Sequence, residues 1–196
     1  MLANVEAIIF DLDGTLTRPV LDFDAIRTEL GLPPGPLLEQ MEAMSAEQRR
    51  RVEQVLHRHE ADAAHNSELH DGAGRALRAL HDRGLRLAIL TRNSRRSVQT
   101  VLDRHGLTEL FDVAYTREDG PAKPSPQPVL EICQRLGVPA GRTWVVGDYL
   151  FDIQAGRAAG AGTTVLMIGQ KEPPEYADQA DHVIRRLDQL LELVDV

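Results

Sequence analysis

The chain has 196 residues, with 22 basic and 30 acidic side chains and a formal net charge of -8; this balance argues against a nucleic-acid partner, which needs a basic footprint. A single cysteine, Cys133, excludes an internal disulfide framework and a cysteine-based zinc site. No apolar stretch is long enough to span a membrane and the start carries no secretory leader, so one soluble cytoplasmic domain, with room for a small insertion, is expected.

The first element is an apolar run, Val5, Ala7, Ile8, Ile9 and Phe10, which reads as a buried parallel strand. It stops at Asp11-Leu12-Asp13-Gly14. No strand pattern follows between residues 18 and 70. Asp22 caps a helix closed by Gly31, and a short helix carries Leu37, Leu38, Met41 and Met44 on one face. Ser45 and Gln48 form a capping box that opens a helix over 46–66, with Val52, Val55, Leu56 and Ala63 as its apolar line.

From Asp71 helices and strands alternate. Helix 73–83 precedes strand 85–90, which runs into Thr91-Arg92-Asn93. Helix 95–105, strand 113–115, a loop over 118–126 and helix 127–136 come next. Cys133 falls among Leu130, Ile132 and Leu136, the mark of a buried thiol. Strand 143–146 ends in Gly147-Asp148. Helix 151–159 is rich in small residues, Ala155, Gly156, Ala158 and Ala159. Strand 163–168, a weak strand at 182–184 and helix 187–194 complete the chain. This alternation predicts an α/β fold, a Rossmann-like, mostly parallel sheet with helices on both faces, plus an inserted all-helical unit. The expected division is a core of 1–17 and 72–196 and a helical cap of 18–71.

Polar residues stand at four strand ends or the loops beyond them: Asp11 with Asp13, Thr91, Lys123, and Asp148 with Asp152. Open α/β sheets bind ligands beyond the carboxyl ends of their strands. Paired carboxylates there need a cation, and a carboxylate-rich site that also holds phosphate suits Mg2+. Each residue then has a part in phosphoryl transfer. Asp11 can attack phosphorus, and Asp13 can act as general acid and base. Thr91 offers a hydroxyl and Lys123 a point charge to the phosphoryl group. Asp148 completes an oxygen shell with Asp11 and the backbone carbonyl of Asp13, and Asp152 supports that shell from behind. Backbone amides around Leu12, Asp13, Arg92 and Asn93 form an anion nest.

The set Asp11-Leu12-Asp13-Gly14-Thr15-Leu16, Leu90-Thr91-Arg92-Asn93, Lys123-Pro124 and Gly147-Asp148 with Asp152 resembles the haloacid dehalogenase superfamily of phosphohydrolases over nearly the whole chain. The branch it is most similar to is that of phosphoglycolate-phosphatase-like proteins. The resemblance implies a Rossmann-like core, Mg2+, an aspartyl-phosphate intermediate and a helical cap over a small phosphorylated metabolite. Two features depart from the pattern. Tyr149 follows Gly147-Asp148 where Ser or Thr is commoner, and the insertion is short for this branch.

The leading expectation is a phosphatase of small monoesters, phosphoglycolate-like or sugar phosphates. A phosphomutase of the β-phosphoglucomutase type and a phospho-accepting receiver module are the alternatives. Dehalogenation is disfavoured because it has no use for Asp13. His57, His59, His65 and His70 read as a solvated face, and Arg49-Arg50-Arg51 as another, pairing with Glu47 or Glu53. Among cap residues, Arg18, His57, Arg58 and His65 are the candidates to reach substrate. Aromatic residues, 4% of the chain, are too few to suggest a stacking platform for bases. Nothing in the sequence sets an oligomeric state.

Overall fold

The computed structural model describes residues 5–195. Six strands form one parallel sheet: β1 (Ala7–Phe10), β2 (Arg86–Leu90), β3 (Val113–Tyr115), β4 (Thr143–Gly147), β5 (Thr163–Met167) and β6 (His182–Ile184). Their order is β3-β2-β1-β4-β5-β6. The chain builds outward from β1 to one edge, then crosses back to β4, so β1 and β4 flank the switch point where such sheets open a ligand crevice. Phe10 pairs with Ile89 on one side and Val146 on the other. Asp11 is the next residue, and its amide still donates to the Val146 carbonyl at 2.9 Å. The sheet therefore fixes the backbone of Asp11 directly.

Strand side chains alternate between two cores, as the two-residue period of a strand requires. Ile8, Phe10, Leu87, Ile89, Trp144 and Val146 pack against α4 (Ala73–Asp82), α5 (Arg95–His105) and α8 (Gln189–Val194). Ile9, Ala88, Leu90 and Val145 pack against α6 (Gln127–Leu136) and α7 (Leu150–Ala158). On α6 the inward face is Val129, Ile132, Cys133 and Leu136, whereas Leu130 is 45% exposed. Leu130 lies one residue past Val129, about 100° around the helix and off the buried stripe. The Cys133 thiol is buried, and burial pushes its pKa up, as befits an inert thiol. On α7 Ala155 and Gly156 face the sheet, and Ala158 does not.

Between β1 and α4 stand three helices: α1 (Phe23–Leu30), α2 (Leu37–Glu42) and α3 (Ala46–His65). Asp22 accepts from the Ala25 amide, Gly31 closes α1 in the left-handed conformation, and Ser45 and Gln48 form both halves of a capping box. Ile26, Leu37, Met41, Val52, Val55 and Leu56 make a separate small core. The last turns of α3 turn inward through Glu60 and Ala64; Ala63 is only half-buried. Arg49, Arg50 and Arg51 are exposed, and Arg49 donates to the carbonyls of Glu42 and Met44 rather than pairing with Glu47 or Glu53. Among the described residues no helix is long and apolar enough to cross a membrane.

Candidate active site

The C-terminal ends of β1, β2 and β4 and the loop after β3 meet in one cavity of about 550 Å3. Asp11, Asp13, Thr91, Arg92, Asn93, Lys123, Asp148 and Asp152 all line it. Leu12 does not: its side chain lies in the core, and its carbonyl accepts from the amides of Leu16 and Thr17 at 2.9 and 3.0 Å. These bonds turn the chain sharply after β1 and point Asp11 and Asp13 into the same space.

Lys123 is the electrostatic centre. Its Nζ donates to Asp11 Oδ1 at 2.6 Å and to Asp152 Oδ1 at 2.5 Å. All three side chains are buried. Burial alone would lower the lysine pKa, but the charges of Asp11 and Asp152 reverse this and hold it above its ordinary value. The second carboxylate oxygen of Asp152 accepts from the Tyr149 amide at 3.1 Å, so both of its oxygens are engaged. Asp152 thus holds Lys123 and the first turn of α7 in place.

Asp13 sits in a different environment. Burial, and then the charge of Asp11, push its pKa to about 7, and Thr17 Oγ1 approaches its carboxylate at 3.4 Å. Two carboxyls two residues apart therefore differ in kind: Asp11 is paired with an ammonium, and Asp13 holds a proton near neutrality. Asp148 is also pushed to about 7, by burial and then by Asp11 and Asp152, and Asp152 to about 6, chiefly by burial.

The carboxylate oxygens of Asp11, Asp148 and Asp152 lie within 4.8 Å of one another. Three carboxyl groups face one ammonium, so Lys123 alone cannot balance their charge when all are ionised. The donors are all oxygen, which suits a hard divalent cation such as Mg2+. Gly14 keeps the approach clear. Its φ is +90°, and a Cβ there would fall 2.3 Å from Asp148 Oδ2.

Thr91 is buried at the end of β2, and its Oγ1 accepts from the Asn93 amide at 3.2 Å. One amide of the expected nest is thus already bonded. Arg92, which lines the cavity, donates to Glu39 of α2. From the helical insertion, Phe23, Arg27, Leu37, Leu38 and Glu60 line the cavity. Arg18, His57, Arg58 and His65 do not. Arg18 pairs with Asp71, Arg58 and His59 hold Glu29, and His65 bonds the Ala61 carbonyl.

Sequence reasoning passed over Glu60. It is 2% exposed, accepts from Arg117, and its other oxygen receives the Ser94 amide and the Ser97 hydroxyl, each at 3.4 Å. It binds α3 to the start of α5. A signal exists in the sequence: Val52, Leu56, Glu60 and Ala64 are spaced by four, so a glutamate interrupts an apolar stripe.

Residues 24–160 match the family model of haloacid dehalogenase-like hydrolases. The chain is 30% identical to the pyrophosphatase PpaX of Halalkalibacterium halodurans, over 98% of both chains. It is 28% identical to the N-acetylmuramic acid 6-phosphate phosphatase of Pseudomonas aeruginosa, over 98% of this chain and 96% of that one. The crystal structure of a predicted phosphoglycolate phosphatase from Haemophilus somnus superposes with a TM-score of 0.78 at 21% identity, covering 98% of this chain and 99% of that one. With its six-stranded parallel sheet, its acidic strand ends and a family match over most of its length, this chain belongs to the haloacid dehalogenase-like hydrolases.

Proposed function

We propose that this protein is a Mg2+-dependent phosphatase of small-molecule phosphate monoesters. The observation that carries the reading is the contrast between Asp11, paired with Lys123 at 2.6 Å, and Asp13, whose pKa is about 7. In the first step an Asp11 oxygen attacks phosphorus, the bond to the leaving oxygen breaks, and Asp13 gives that oxygen its proton. In the second step Asp13 takes a proton from water. That water attacks phosphorus, the bond to Asp11 breaks, and inorganic phosphate leaves. Lys123 and Thr91 meet the phosphoryl oxygens.

Asp11, Asp148 and the backbone carbonyl of Asp13 would hold Mg2+, with Asp152 positioning Lys123. When bound, the ion neutralises negative charge so that an anionic ester can approach a carboxylate. The names of the relatives, a pyrophosphatase and an N-acetylmuramic acid 6-phosphate phosphatase, support phosphoryl chemistry on a small substrate. The receiver alternative is disfavoured because the helical insertion walls the cavity. A phosphomutase would isomerise a hexose 1-phosphate instead of freeing its phosphate. The test is phosphate release from a panel of phosphorylated metabolites with and without Mg2+. Asp11→Asn should abolish it, and retained Mg2+-dependent release by that variant contradicts the mechanism.

A further inference from the structure

The phosphatase reading leaves the alcohol of the ester open, and the apolar lining of the cavity bears on it. The chain has eight aromatic residues in all. Three of them, Phe23, Tyr149 and Phe151, line this one cavity. Tyr149 meets Phe151 edge-on with centroids 5.1 Å apart, and Tyr176 supports Tyr149 from 6.0 Å. The Arg92 guanidinium lies 5.3 Å from the Phe151 centroid, its charge already matched by Glu39. Aromatic residues are few in the chain, yet three of the eight line this cavity. Phe23 and Tyr149 are 43% and 52% exposed, and large apolar side chains left open around a cavity mark a contact surface.

The side of the cavity formed by the insertion also offers few free hydrogen-bonding groups. Among the described residues, the insertion contributes Arg27 and Glu60 as its polar side chains lining the cavity, beside several leucines and prolines. Both are engaged. Arg27 donates to the Gly35 carbonyl at 3.1 Å and pairs with Asp24, and Glu60 is held by Arg117, Ser94 and Ser97. The hydroxyls of a sugar would lose water there and find few partners. A flat heteroaromatic ring keeps its polar atoms on its rim and presents apolar faces, so its faces lose little on desolvation and gain stacking and cation–π contact, while the rim and any linking ribose stay toward water.

We propose that this cavity takes phosphate monoesters whose alcohol carries a flat heteroaromatic ring, stacked among Phe23, Tyr149 and Phe151 with the phosphate at Asp11. This proposal rests on the phosphatase reading. A volume of about 550 Å3 suits a phosphorylated heterocycle of modest size. The ring could stand one carbon from the ester oxygen, as in pyridoxal 5′-phosphate, or across a ribose, as in adenosine 5′-monophosphate.

The experiment measures kcat/KM with Mg2+ for those two esters, and for glucose 6-phosphate, phosphoglycolate and glycerol 3-phosphate. At least one ring ester should exceed every ring-free ester by tenfold or more, and which one leads identifies the ring's distance from phosphorus. In Phe23→Leu and in Tyr149→Ser, the ratio of ring to ring-free kcat/KM should fall at least fivefold, mainly through KM for the ring ester. Both side chains are exposed, so neither change opens the core. Equal or higher efficiency on ring-free esters overturns the proposal and leaves the phosphatase reading standing, as does a ratio unchanged in both variants. No Mg2+-dependent release from any of the five contradicts the phosphatase reading itself.

Discussion

Arg92, in the loop after β2, and Glu39, in α2, are joined by two hydrogen bonds of 2.7 and 2.9 Å. The pair ties the helical insertion to the loop after β2, at a residue, Arg92, that lines the cavity. Its side chains are 23% and 42% exposed, so water screens it and its net worth is about 0.2–1 kcal/mol. Glu39→Gln should therefore shift Tm by less than ~4 °C. It should raise KM at least threefold, because the insertion closes less firmly over substrate. Thermal melts and steady-state kinetics check both halves; an unchanged KM contradicts the role given to the pair.

Glu60 and Arg117 make the opposite case. Both are largely buried, at side-chain exposures of 2% and 12%. Removing one partner of such a pair strands the other and costs about 3–5 kcal/mol. Glu60→Ala should lose that much in urea unfolding, well beyond the loss in Glu39→Gln. A loss below ~1 kcal/mol would show that the pair contributes nothing beyond a surface bridge.

The acidic site predicts how stability responds to pH and metal. Asp13 and Asp148 have pKa values of about 7 and Asp152 of about 6, against 3.8 ordinarily. Between about pH 4 and 7 the metal-free folded chain binds more protons than the unfolded chain, so these groups lower its stability as pH rises. His70 and His105, held below 6.5 by burial, act in the other direction but do so with or without metal. Mg2+ bound among these carboxylates would offset their charge. The gain in Tm on adding Mg2+ should be small at pH 5 and grow steadily to pH 8. An equal gain at both pH values contradicts the assignment.

Gly14 offers a separate test of the proposed metal site. Ala at this position would strain a backbone at φ +90° and push a Cβ to 2.3 Å from Asp148 Oδ2. The backbone strain costs about 1–2 kcal/mol. The displaced carboxylate should raise the Mg2+ concentration for half-maximal activity more than tenfold. Titrating activity with Mg2+ in Gly14→Ala and wild type measures this directly. An unchanged titration curve means that Asp148 does not hold the ion.

Lys123 is expected to matter to both fold and chemistry. Lys123→Met leaves Asp11 and Asp152 buried together without their shared cation. Stability in metal-free buffer should fall by about 3–5 kcal/mol, part of it recovered with Mg2+, while turnover falls at least a hundredfold. Comparing urea melts with and without Mg2+ separates the two effects. A variant as stable as wild type without metal contradicts the picture of two buried carboxylates held by one shared cation.

What could be read in the sequence was whatever is encoded locally. Ala7–Phe10 gives its strand by composition, Asp22 and Ser45 give their caps by type, and Gly31 and Gly106 end helices because only glycine adopts their conformation cheaply. The polar strand ends were legible because a parallel sheet collects them at one edge, where eight of the nine candidate residues line one cavity. Contacts between distant segments were not legible. Glu39 meets Arg92 across 53 positions and Glu60 meets Arg117 across 57, and no periodicity reports such partners. The histidines of α3 drew attention by their chemistry, yet the helix turns His57 and His65 outward while Glu60 faces in. Leu130 was assigned to the core by type, and its angular position on α6 places it in water.

If Asp11 carries the phosphoryl group, the wild-type enzyme quenched during turnover, reduced with borohydride and mapped by mass spectrometry should report it. An acyl phosphate on Asp11 is reduced to the alcohol, so homoserine is expected at position 11 in samples with substrate and Mg2+. None is expected in Asp11→Asn, which should release no phosphate. Rapid turnover by the wild type with an unmodified Asp11 in every quenched sample, together with phosphate release by Asp11→Asn, would contradict that role of Asp11.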